Sequence, residues 1–304
     1  MNTDTSGLKQ AKSMRVLMTG ASGFLGQHVL NHLLACGMDT VAVGRKLPAN
    51  CEADNFKEVD LLGECDFDAL LAKVGATHLL HLAWYAEHGA YWTSPLNLSW
   101  SQASVSLVDA FCRAGGQKVV MAGTCAEYDW AHGYCNEDST PLEPITLYGV
   151  AKDATRRLTT AVCALHQVKC AWARIFLPYG PGEDFRRLLP SLKAVFRGER
   201  APFGVNANAY RDFLHAEDVA AAFVTLLQTD AAGAYNICSG RPVQLEEVVR
   251  QIAGAYGADP KSVLDLSTER LGEPAFLVGN NQKLKAVGWR PQHSLAYMAR
   301  SLEV

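Results

Sequence analysis

The sequence has no block of basic residues, no apolar run long enough to cross a membrane and no CxxC pair. Lys and Arg number 28 against 31 Asp and Glu, and a net charge of −3 leaves no electrostatic footprint for nucleic acid or an anionic membrane surface. A membrane span is not expected, because it needs about 20 consecutive apolar residues. The nine cysteines are odd in number and scattered, and Cys36, Cys112, Cys163, Cys170 and Cys238 fall in segments that read as buried. Reduced core thiols in a cytoplasmic protein are expected, with neither disulfides nor a metal site. Residues 1–13 are polar, lack the apolar core of a signal peptide and read as a loose tail. Against these absences stand 304 residues, 49% hydrophobic and 19% charged, enough for a large core in one or two closely joined domains. Small-molecule chemistry is the function class left.

The chain is organised around residues 16–26, VLMTGASGFLG. An apolar strand breaks into Gly20, Gly23 and Gly26 and continues as a helix-like segment over 24–36. The first glycine suits a tight turn, the second a close approach of backbone to a pyrophosphate, the third close packing of helix on strand. The helix N-terminus then faces the phosphates with its N–H groups. Ser22, Phe24 and Leu25 fall within this dinucleotide turn. Three glycines alone also mark ordinary turns. The strand before, the helix after and the strand-helix alternation downstream favour the dinucleotide.

A short second strand over 40–43 ends in Gly44, Arg45 and Lys46. An NAD site usually carries an acid about 20 residues past the glycines, where it holds the ribose 2′-hydroxyl. Here that place falls on Gly44 or Arg45, so a 2′-phosphate and hence NADP(H) is expected, with NAD(H) as the alternative. The other reading of Arg45 and Lys46 is a solvated loop. A third strand over 56–59 closes on Asp60 and Leu61, toward the adenine. The fourth, over 77–82, ends in HLAW and brings Leu82, Ala83 and Trp84 to the cofactor. The loop beyond it, with Trp84, Tyr85, His88, Tyr91 and Trp92, lies past the carboxyl end of a parallel strand, where such folds bind ligands. Its aromatic faces could stack on a sugar ring or close the core. Leu98, Val105, Val108 and Cys112 recur at helical spacing and predict a packed crossover helix reaching Gly115. A fifth strand over 118–123 runs straight into Thr124.

Tyr148 and Lys152, in LYGVAK, are four apart on a predicted helix and therefore share one face. A free tyrosine has a pKa of about 10 and is a poor proton carrier near neutrality. A nearby cation favours the phenolate, and Lys152 supplies one. Thr124, at the end of a different strand, can hold a substrate oxygen beside the phenol. Together they make a proton-transfer site next to a hydride carrier, which suits alcohol-ketone chemistry.

These residues resemble the extended short-chain dehydrogenase/reductase family, the nucleotide-sugar epimerases, dehydratases and reductases. TGASGFLG matches its cofactor turn, HLAW its fourth-strand motif, Thr124 its catalytic Ser/Thr and Tyr148 to Lys152 its YxxxK. RIFLPYGPG, YRDFLHAEDVA, AYNICSG and GWRP follow in the same order. The resemblance implies a doubly wound Rossmann α/β fold, with a dinucleotide-binding domain over 14–177 joined by 213–238. A smaller discontinuous substrate-binding part would come from 178–212 and 239–304. It also implies a homodimer packed through helices near 99–112 and 152–166.

Departures from the family pattern narrow the reaction. Its 4,6-dehydratases follow the catalytic threonine with Asp-Glu, where this chain has Cys125 and Ala126. Its epimerising synthases carry a cysteine two residues on, where this chain has Ala126, so Cys125 reads as a packing residue. Glu127 reads as a rim carboxylate. What remains is a reductase or a 4-epimerase, and Gly44-Arg45 favours an NADPH-dependent reductase of a nucleotide-linked 4-keto-6-deoxyhexose. An NAD-dependent 4-epimerase is the alternative, and a non-catalytic dinucleotide sensor a further one. The resemblance gives Arg211, in YRDF, and Arg270, in RLGE, the substrate diphosphate, an anion that suits the arginine fork. Leu177 stands beside the cofactor where epimerases usually carry a substrate-holding asparagine. Trp84, His88, Thr124, Cys125 and Ala126 complete the expected substrate contacts.

Overall fold

The computed structural model describes residues 14–269 and 272–294. Seven parallel strands form one sheet in the order Gly233–Ile237, Lys169–Ile175, Lys118–Thr124, His78–His81, Arg15–Thr19, Asp39–Gly44, Phe56–Glu58. The chain starts at Arg15–Thr19 and winds outward both ways, so a crevice opens between the ends of that strand and His78–His81. This is the doubly wound α/β architecture expected from the alternation of motifs.

Both sheet faces are covered, as the near-continuous apolar strands require. Alternate side chains of Arg15–Thr19 take opposite faces. Val16 and Met18 enter the core under helices Phe24–Ala35 and Ala216–Gln228. Leu17 enters the core under Phe67–Val74, Leu96–Arg113 and Leu147–Leu165. Leu33, from Phe24–Ala35, is fully enclosed, a burial that contributes about 1.5–3 kcal/mol. Local signals agree with the packing. Asp66 accepts from Ala69 N at 2.9 Å to cap Phe67–Val74, which ends on Gly75 in the left-handed region at φ 65°. Thr146 accepts from Gly149 N at 3.1 Å and starts Leu147–Leu165, the helix that carries Tyr148 and Lys152.

A second core joins Leu189, Leu192 and Val195 of helix Leu188–Phe196 to Val248, Val249 and Ile252 of helix Leu245–Ala255. Beside it lies a four-stranded sheet in the order Val243–Gln244, Tyr210–Arg211, Phe276–Gly279, Tyr134–Cys135.

Two details of the core differ from the pattern reading. Leu98 is 60% exposed and Val105 only partly buried, whereas Val108 and Cys112 are buried as the spacing predicts, beside Asn97, Ser104, Leu107 and Phe111. Cys36 is exposed at the C-terminal cap of Phe24–Ala35, whereas Cys112, Cys163, Cys170 and Cys238 are buried. All nine cysteines are free thiols. Among the described residues no helix is long and apolar enough to cross a membrane.

Candidate active site

The glycine turn is built for close approach. Gly20 has φ +76°, and a Cβ there would lie 2.6 Å from Ala83 N. A Cβ on Gly26 would lie 1.9 Å from Gly20 O, so the third glycine is what lets the helix sit on the turn. Helix Phe24–Ala35 has no side-chain cap and no acidic residue in its first turn. Its N-terminal N–H groups and positive dipole end therefore suit an anion. This cradle fits a dinucleotide pyrophosphate.

From the turn a cleft of about 440 Å³ runs along the strand ends. Its lining brings together Gly20, Ser22, Gly23, Phe24, Leu25 and Gly26 with Arg45, Asp60 and Leu61 at one end. At the other end it gathers Leu82, Ala83, Trp84, His88, Thr124, Tyr148 and Lys152. Arg45 and Lys46 are exposed beside Gly44, and neither is paired with a carboxylate among the described residues. Asp60 turns its Oδ1 back to accept from Leu62 N at 3.1 Å.

Thr124, Tyr148 and Lys152 converge from two elements. Thr124 ends strand Lys118–Thr124 and hydrogen-bonds Tyr148 on the neighbouring helix. Its Oγ1 also accepts from Ala126 N at 3.2 Å. Lys152 is buried, and its Nζ donates to Ala122 O at 2.9 Å. The ammonium lies 3.7 Å from the centroid of the Trp84 ring, a cation-π contact. Trp84 is held there by its Nε1 donating to Asn97 Oδ1 at 2.8 Å, and Asn97 is fully buried, donating to Tyr91 O and Ser94 O. Tyr91 and Trp92 pack edge-on against Tyr148, with centroids 4.9 and 5.8 Å away.

This enclosure corrects the expected electrostatics. Burial, reinforced by Tyr91, raises the Tyr148 phenol above its ordinary value, although the bond from Thr124 pulls the other way. The Lys152 Nζ stands 6.0 Å from the centroid of the phenol ring. Burial lowers Lys152 itself to about 7. Tyr148 is thus a neutral phenol with a proton to give.

Other expected residues stand outside the cleft lining. Cys125 and Ala126 form the buried first turn of a 3₁₀ helix, Cys125–Glu127, behind Thr124. Burial pushes the Cys125 thiol up, so it is an inert packing group. Leu177 is likewise set back, and its neighbours Phe176 and Pro178 line the cleft instead. Arg211 is 5% exposed. It donates to Tyr210 O, Pro274 O and Glu273 Oε1 at 2.9, 2.7 and 2.8 Å. Arg270 lies outside the described residues.

Glu127 is not a rim carboxylate. It is fully buried and accepts from Thr124 N at 2.8 Å, from Trp172 Nε1 at 2.9 and 3.0 Å, and from Arg174 Nε at 2.8 Å. Arg174 Nη1 continues the network to the Tyr128 hydroxyl, which donates to Asn236 Oδ1 at 2.7 Å. A buried ion pair survives desolvation only when its lone pairs and protons are so satisfied.

Arg187, which no spacing pointed to, lines the cleft with Asp184 near Phe24. Its Nε is 3.2 Å from Glu183 Oε1. Burial raises the Glu183 carboxyl to about 7, so the guanidinium charge is only partly matched near neutrality.

A glycine-turn crevice joined to a Thr, Tyr and Lys group at the strand ends defines an NAD(P)-dependent enzyme of the oxidoreductase type. The chain belongs to the NAD-dependent epimerase/dehydratase family, whose model matches residues 16–238. It is 27% identical to the UDP-glucose 4-epimerase of Azospirillum brasilense, over 93% of this chain and 89% of that one. MoeE5, solved in complex with UDP-glucose and NAD, superposes with a TM-score of 0.81 at 26% identity, covering 94% of this chain and 96% of its own. The fold is also that of the Thermus thermophilus UDP-glucose 4-epimerase solved with NAD. That match has a TM-score of 0.78 and 24% identity over 95% of this chain and 97% of the other.

Proposed function

We propose that this protein is an NADPH-dependent reductase of a nucleotide-linked 4-keto-6-deoxyhexose. One observation carries the reading: after the second strand the cleft presents Gly44, Arg45 and Lys46, and none of these is the carboxylate that holds a 2′-hydroxyl at that place in an NAD site. NADPH, when bound, supplies a hydride. Thr124 orients the ketone oxygen, and Tyr148 gives its phenolic proton to the oxygen as the C–H bond forms at carbon 4. Trp84 and His88 wall the sugar, and Arg187 faces the diphosphate in place of the engaged Arg211. The buried Cys125 and Ala126 leave no acid for dehydration. The substrate-binding part is assigned to 178–212 and 239–304, of which 270, 271 and 295–304 lie outside the described residues. A homodimer through Leu96–Arg113 and Leu147–Leu165 would cover the exposed Leu96, Leu98, Val150, Leu158 and Leu165.

An NAD-dependent 4-epimerase is the second reading, favoured by the names of the relatives. Cofactor stoichiometry separates the two. Purified protein with NADPH and a panel of 4-keto-6-deoxy sugar nucleotides is expected to consume one NADPH per alcohol formed. Interconversion of two sugar nucleotides with no net NADPH loss would establish the epimerase instead.

Arg45→Ala is expected to weaken NADPH by about tenfold or more, the loss of a charged hydrogen bond worth about 1.5–3 kcal/mol. NADH should change little, as fluorescence titration would show. Equal losses for both would remove Arg45 from the 2′-phosphate.

A further inference from the structure

Away from the cleft, His215, Glu217 and His293 converge, and one donor atom from each lies within 4.8 Å of the others. The imidazoles of His215 and His293 are stacked with centroids 4.2 Å apart. Glu217 Oε2 is 3.1 Å from His293 Nε2, and Asp218 Oδ1 is 3.1 Å from His293 Nδ1. The His293 ring is therefore flanked by a carboxylate at each nitrogen. A neutral imidazole has one N–H and one lone pair, so it can satisfy only one of them. The other contact sets lone pair against carboxylate unless the ring takes a second proton or a metal cation lies between.

We propose that His215, Glu217 and His293 hold a divalent cation of borderline softness, of the zinc type, with Asp218 orienting His293 from behind. Two imidazoles and one carboxylate, with a position left for water, are a zinc donor set. A carboxylate on the far nitrogen of a ligating histidine fixes its tautomer and raises its basicity. That partner is Asp218, itself nearly fully buried and anchored by Gln292 N and His293 N at 2.8 and 3.0 Å. Metal bonds of about 2.0–2.2 Å draw the donors closer than they now stand. Glu217, with 57% of its side chain exposed, is free to turn. The bond from Glu217 N to His215 Nδ1 is long, at 3.3 Å, and gives way where that nitrogen takes the metal.

The site ties two distant pieces of chain. His215 and Glu217 stand at the start of helix Ala216–Gln228, and His293 follows Trp289, whose Nε1 donates to Asp218 O at 3.0 Å. Gly180 packs against the His215 ring, and a Cβ there would lie 3.2 Å from Nε2. A bound cation would strap the 289–293 segment to the helix without entering the hydride site.

The test uses the full chain stripped with a chelator and titrated with zinc chloride at neutral pH by calorimetry, then with cobalt(II) by visible absorption. One zinc per chain and a raised melting temperature are expected. Glu217→Gln and His293→Ala should each weaken zinc by at least tenfold. Glu217→Gln alters an exposed side chain, so it keeps the test decisive if His293→Ala fails to fold. The cobalt spectrum should lack the charge-transfer band of thiolate ligands. No uptake, uptake undiminished in both variants, or a thiolate band would overturn the site. So would a melting temperature that follows pH and ignores zinc, which would make the missing cation a proton.

Discussion

Tyr148→Phe should leave NADP(H) binding close to wild type and lower turnover by about a hundredfold or more, the usual contribution of a positioned general acid. The substitution removes one hydroxyl and preserves the ring that Tyr91 and Trp92 enclose. Cofactor contacts at the glycine turn are therefore untouched. What is lost is the proton held at the hydroxyl that Thr124 bonds. Because burial raises the phenol rather than lowering it, the wild-type residue is protonated throughout the neutral range and works in the donating direction. Steady-state turnover alongside an NADPH titration checks this. Near-normal turnover would take Tyr148 out of the acid role, whereas parallel loss of binding and turnover would point to a damaged cleft.

Glu127→Gln should destabilise the protein by about 3–5 kcal/mol, the penalty for leaving one member of a buried ion pair without its partner. Three donors meet this carboxylate: Thr124 N, Trp172 Nε1 and Arg174 Nε. The glutamine amide offers one acceptor and turns two N–H donors toward donors already there. Arg174, with a side chain 1% exposed, then keeps its charge with no anion beside it. For a chain of this size the melting temperature should fall by roughly 5–8 °C. The bond to Thr124 N gives a second readout. The strand end that presents the hydroxyl loosens, so turnover should fall even at temperatures where the variant is fully folded. A melting point within a degree or two of wild type would mean that the pair is energetically neutral.

Much of this was legible in the linear order of residues. The strand, three glycines and helix form one local unit, so the turn, its positive φ at Gly20 and its anion-binding end could be read directly. The four-residue spacing of Tyr148 and Lys152 placed both on one helix face for the same reason. Arg45 was legible because a short strand holds it at a known distance from the turn. Glu127 was misjudged, and the partners of Arg211 were not foreseen, because motif position says nothing about partners. Trp172 and Arg174 reach Glu127 from a neighbouring strand, and Glu273 reaches Arg211 from a segment far along the chain. Arg187 had only an Arg-Arg pair as its signal, and Asn97, which holds Trp84 over Lys152, had none.

The sequence by itself determined the doubly wound class, the dinucleotide turn and the shared helix face of Tyr148 and Lys152, because each rests on short-range periodicity or spacing. Only the tertiary structure decided their charge states and which cations reach the cleft. It also brought His215 and His293 together across the fold. Those properties depend on desolvation and on contacts between residues far apart in the chain, which no local pattern records.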